Sequence, residues 1–142
     1  MSMRTVLLVV LLFVACVAIA QAPAPYQNTG TMSQLMIDIL YPASDALFYV
    51  QRNPPKDDHD WGVVRTNALN LAESGNLLMM PGRARDQGEW ITDAKLVVDA
   101  GAAAYKAAQK KDLQAILDLN EQLYVSCTKC HSQYRPGYGR RP

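Results

Sequence analysis

Two cysteines and a histidine lie close together near the end of the chain, in Cys127-Thr128-Lys129-Cys130-His131. Thiols at this spacing can close a disulfide, work as a redox dithiol or supply half of a metal site. A thioredoxin-like dithiol follows a strand in an α/β setting, and nothing before Cys127 reads as a strand. Tetrahedral zinc needs two further ligands. Outside the motif the chain has one other histidine, His59, and one other cysteine, Cys16, in an apolar N-terminal run. A lone disulfide has no use for His131. The pattern that uses all three residues is the attachment of haem c. Each thiol adds across one vinyl group, and the histidine beside the second thiol falls under the iron. On a helix the three positions are i, i+3 and i+4, so both sulfurs and the imidazole share a face. That face continues the apolar stripe through Tyr124. One covalent haem c is expected, held by Cys127 and Cys130, with His131 as the proximal iron ligand and Tyr124 against the same face.

His131 lies so near the C-terminal Pro142 that a second axial ligand must come from upstream, where Met32, Met36, Met79, Met80 and His59 are available. Met79 and Met80 sit at a helix end before Pro81. Met32 and Met36 lie one helical turn apart on the core side of the first helix, although methionines at this spacing also serve as plain core. Met36 is expected over Met32 as the distal ligand. It lies a turn further from Thr29-Gly30, where the backbone is better held, and Leu35 and Ile39 flank it and can exclude water.

The elements that must position these residues begin after an export signal. Residues 1–20 carry one positive charge, the run TVLLVVLLFVACVAIA and an Ala18-Ile19-Ala20 ending, the pattern of a secretory signal peptide cleaved after Ala20. The run is short for a membrane span, which needs about 20 apolar residues. An uncleaved anchor and lipidation at Cys16 are the weaker alternatives; Phe13 suits a lipobox poorly. A periplasmic location follows. Of 14 Lys plus Arg only Arg4 leaves with the signal, and the remainder matches the 13 Asp plus Glu. The mature chain is formally neutral, with no bulk charge for nucleic acid. Its local basic feature is the tail of Arg135, Arg140 and Arg141.

Residues 21–30, QAPAPYQNTG, form a flexible lead, and residues 31–142 form one domain of a length that supports one core. Four segments show helical spacing. The first presents Met32, Met36, Ile39, Ala43, Leu47 and Val50, with a kink or break expected at Pro42. The second, capped by Asp58 or Asp60, presents Trp61, Val64, Ala68, Leu71, Gly75, Leu78 and Met79. The third, opened near Asp86, presents Trp90, Ala94, Val97, Gly101, Ala104 and Ala108, small residues that allow a neighbouring helix close. The fourth, capped by Asp112, presents Leu113, Ile116, Leu117, Leu123, Tyr124 and Cys127. Short connections make each helix fold back on its predecessor. The expected fold is all-α, an antiparallel four-helix bundle with haem attached to the C-terminal helix.

A C-terminal Cys-x-x-Cys-His on such a bundle resembles the class II cytochromes c, cytochrome c′ and its low-spin relatives. Residue identity is specific at CTKCHSQYR, where Tyr134-Arg135 matches the aromatic-basic pair that follows the histidine in that family. The resemblance implies that Arg135 lies near the proximal face of the haem. It also implies that the first helix carries the distal residue, a Met in low-spin members and a bulky apolar residue in five-coordinate ones. Two features depart from the family pattern. The basic residue one turn before the distal position is missing, and Pro42 has no counterpart. Arg83 or Arg85 is a candidate replacement for the missing propionate partner, although ordinary loop cations are expected there. A capped iron suits single-electron transfer with redox partner proteins. The alternative is an open, apolar distal side that binds a small gas, nitric oxide or carbon monoxide. A peroxidase needs a distal acid-base group, and no histidine lies near the first helix, so no enzymatic activity is expected. A homodimer is compatible with a bundle of this kind.

Overall fold

The computed structural model describes residues 26–135 together with 137 and 138. The expected signal peptide 1–20, residues 21–25 of the lead, and Arg140 and Arg141 lie outside the described residues. Among the described residues there is no strand. Helices form four arms, an all-α arrangement consistent with a four-helix bundle. None of these helices is long and apolar enough to cross a membrane.

The first arm starts at α1 (Met32–Gln34), continues as a π-helical segment (Leu35–Leu40) and runs on into α2 (Tyr41–Phe48). Thr31 opens it with a capping box: its hydroxyl accepts from the Gln34 amide, and the Gln34 side chain accepts from the Thr31 amide. The first turn is therefore held rather than frayed. Of the kink or break expected at Pro42, the break does not occur. Proline has no N–H, and its ring crowds the carbonyl four residues back. The preceding turn widens to accommodate it, and the Tyr41 amide bonds Met36 O, five residues back. This wider register also moves the buried face. Leu35 and Leu40, five apart, turn inward together, while Ile39, expected in the core, is 39 % exposed.

α3 (Asp58–Leu78) follows a single 3₁₀ turn (Val50–Arg52). Its cap is Asp57 rather than Asp58 or Asp60, with Oδ1 accepting from the Asp60 amide at 2.9 Å. Asp86 Oδ1 accepts from the amides of Gly88 and Trp90 to start α4 (Glu89–Gln109). Trp90 Nε1 then donates to Leu78 O at 2.8 Å, pinning the start of α4 to the end of α3. All six expected face residues of α4, Trp90 through Ala108, are buried. A Cβ built on Gly101 would stand 2.5 Å from the Ala72 amide nitrogen, and one on Gly75 would stand 2.7 Å from Val98 Cγ2. Gly101 faces Ala72 while Gly75 faces Val98 and Ala94, so the two helices run antiparallel in close contact.

Asp112 Oδ1 accepts from the Ala115 amide and caps α5 (Leu113–Leu117), as the sequence predicts. The single fourth helix expected from the sequence is divided. A three-residue bond from Leu119 N–H to Ile116 O re-phases the chain before α6 (Asn120–Tyr134). The buried face of α6 is Leu123, Ser126 and Cys130. Trp90 meets Tyr134 and Asp93 meets Lys129, so α6 lies antiparallel to α4.

Candidate functional site

The division of the fourth arm decides which way the motif faces. With successive residues about 100° apart, Cys130 and Tyr134 lie close to the buried line through Leu123. Cys127 and His131 lie to one side of it, and Tyr124 lies beyond them. Cys130 is buried and Cys127 partly so, and neither is in a disulfide. Both thiols and His131 line one cavity of about 400 Å³ with a largely hydrocarbon wall. That volume is in the range of small-molecule and cofactor sites, about 300–1,000 Å³. Leu78 contributes from α3, and Ala94 and Val97 from α4. The first arm lays Met36, Ile37 and Leu40 along it, and Arg135 stands at its rim after α6.

The structure thus brings Met36, Cys127, Cys130, His131 and Arg135 to one cavity. It does not bring Met32 or Tyr124 there. Met32, one helical turn before Met36, lies beside Arg83 and Arg85 around a separate polar depression. Tyr124 is 57 % exposed, since the inward line of α6 passes through Leu123 and Ser126 instead. Arg83 is committed elsewhere as well, donating to Leu77 O and Gly30 O and tying the α3–α4 loop to the lead.

Tyr134 anchors the end of α6. Its ring meets Trp90 edge-on at 4.9 Å, and its hydroxyl donates to Asp86 Oδ2. That bond raises the phenol to about 12 and holds the Asp86 carboxyl below the usual carboxylate range. His131 stacks edge-on against Tyr138 at 5.3 Å. Burial, and then the Arg135 charge, lower its imidazole. A neutral ring keeps a lone pair for a metal. Burial raises the Cys127 thiol, partly opposed by Ser126. Cys130 is pushed up to about 11 by burial, then by the charges of Asp93 and Cys127. Redox dithiols of the Cys-x-x-Cys type have lowered pKa values, whereas burial moves both thiols here in the opposite direction. Among the described residues no three His, Cys, Asp or Glu side chains converge as metal ligands, which leaves zinc short of a tetrahedral set.

Two site residues were missed by reading the sequence. Asp93 is fully buried in the cavity wall, and Lys129, inside the motif itself, reaches it at 3.2 Å. The available signal was position: Asp93 stands three residues after Trp90 and four before Val97, on the flank of a stripe that is otherwise apolar.

Comparison of the chain with protein-family models, with characterised proteins and with solved structures returned no match.

Proposed function

We propose that this chain is an exported c-type cytochrome that carries one covalent haem c and passes single electrons. The observation that supports this most strongly is the convergence of Cys127, Cys130, His131 and Met36, from the first and last arms, on one apolar cavity. The fit of the residues to the group is chemical as well as spatial. Two free thiols on one helix face, both raised by burial, are the species that add to vinyl groups, and the wall around them is mostly hydrocarbon. Cys127 and Cys130 would hold the haem, His131 would ligate its iron from the motif side, and Met36 would face it from the first arm. When bound, haem supplies a one-electron couple whose potential depends on axial ligands and burial.

The chain's own residues account for the rest. Trp90, Tyr134 and Asp86 fix the end of α6, so the motif stays in register with α4. Met36, whose carbonyl accepts the wide-register bond from Tyr41, lines the cavity from the first arm. The first arm lines the cavity with Met36, Ile37 and Leu40 together with Ser33, Tyr41 and Ser44, and brings no histidine or carboxylate to it, which suits electron transfer better than peroxide chemistry. The same hydrocarbon would suit nitric oxide or carbon monoxide if the Met36 sulfur stays off the iron, so gas binding is the second reading.

Expression in a host with haem c maturation machinery tests both levels. The denatured chain should be heavier than the apo-chain by one haem, and acidified organic solvent should fail to extract it. Extractable haem refutes covalent attachment. A reduced protein whose spectrum ignores carbon monoxide supports electron transfer, and one that shifts at once moves the assignment to gas binding.

A further inference from the structure

Asp93 is neither a thiol nor an expected iron ligand, yet it is a carboxylate with 0 % exposure in the wall of the cavity that the motif lines. Lys129 Nζ stands 3.2 Å from its Oδ1. The approach lacks hydrogen-bond geometry, and neither carboxylate oxygen has a hydrogen-bond donor among the described residues. Burying a charge so sparsely compensated is costly, and buried ion pairs contribute little stability compared with hydrocarbon of the same size. Hydrocarbon of similar volume would serve the packing at least as well, so packing alone does not account for Asp93.

The two ends of the pair sit in different media. The anion is dry, whereas the Lys129 side chain is 52 % exposed. Water and salt screen the cation strongly and the anion weakly, so the pair does not cancel when seen from the cavity. Asp93 shares the cavity wall with Cys130 and His131, so its field reaches the motif.

We infer that Asp93 is a charge-tuning residue of the cavity: its buried carboxylate, anchored by Lys129, holds the reduction potential of a haem bound there below the value a neutral residue would give. This rests on the haem reading above. The oxidised iron carries one more positive charge than the reduced iron, and a fixed anion in a low-dielectric wall favours the more positive form. The electron itself comes from an external donor; Asp93 only shifts the equilibrium.

The test is a spectroelectrochemical titration of haem-loaded wild type, Asp93→Asn and the double variant Asp93→Asn with Lys129→Gln, at fixed neutral pH and salt. Asp93→Asn should raise the midpoint potential with an unchanged spin state, which loss of a merely structural contact would not do. The double variant should keep most of the rise, because the removed cation was screened, and it leaves no lone buried charge if the single variant folds poorly. An unshifted potential in Asp93→Asn, or a double variant that returns to the wild-type value, overturns the inference. A chain whose denatured mass shows no haem overturns the haem reading first, before any potential is measured.

Discussion

Emptying the cavity is the most direct perturbation. The double variant Cys127→Ser with Cys130→Ser removes both attachment points. The cavity is about 400 Å³, and unfilled apolar volume costs about 24 cal/mol per Å³, an upper bound of about 10 kcal/mol. The space is open on one side and admits water, so the realised cost is a fraction of that bound. Even about a third of it is large against total stabilities of about 5–15 kcal/mol. The first arm and α6 should separate from the rest first, because they meet across this space while α3 and α4 hold each other through Gly101 and Gly75. After extraction of any loosely held haem, far-ultraviolet circular dichroism should remain substantial. The near-ultraviolet signal should weaken, and the thermal transition should broaden and fall in temperature. A sharp melt at the midpoint of the haem-loaded wild type would refute the reasoning, because the cavity would then be stable when empty.

Met36→Ala should abolish the weak far-red sulfur-to-iron band of the oxidised protein and open the iron to carbon monoxide, whereas Met32→Ala should leave both unchanged; optical spectra decide it. Gly101→Ala drives a methyl toward backbone atoms of Ala72, the nearest at 2.5 Å, which cannot rotate away. Overpacking of about 1–3 kcal/mol should outweigh the roughly 0.5–1 kcal/mol gained from replacing a helical glycine, lowering the melting temperature by several degrees in a thermal scan. Tyr134→Phe removes the hydroxyl that depresses the Asp86 carboxyl. A depressed folded-state value contributes stability that is complete above the unfolded value of about 3.9 and is lost as pH falls through the lower folded value. The gap in denaturation midpoint between wild type and variant should therefore close as pH falls below about 4; a gap that stays constant to pH 2 would exclude this linkage.

Several features of this protein were determined by the sequence alone because they are local. Cys127, Cys130 and His131 lie within about one helical turn, so their shared face follows from helix geometry once the segment is helical. The α4 face is equally legible: Trp90, Ala94, Val97, Gly101, Ala104 and Ala108 keep one period without interruption, and all are buried. Asp112 caps α5 through an interaction that spans three residues. Tertiary structure decided wherever two periods competed or two arms had to meet. Pro42 and the burial of both Leu35 and Leu40 select a π register that no α-period reading contains, and it is this register that sends Ile39 outward. The re-phasing at Leu119 turns α6 so that Leu123 and Ser126 face inward and Tyr124 does not. The pairing of Asp93 with Lys129 joins two helices far apart in the chain. Helical spacing specifies which side chains share a face, but the direction of that face, and the charge it meets there, are set by the neighbouring helix.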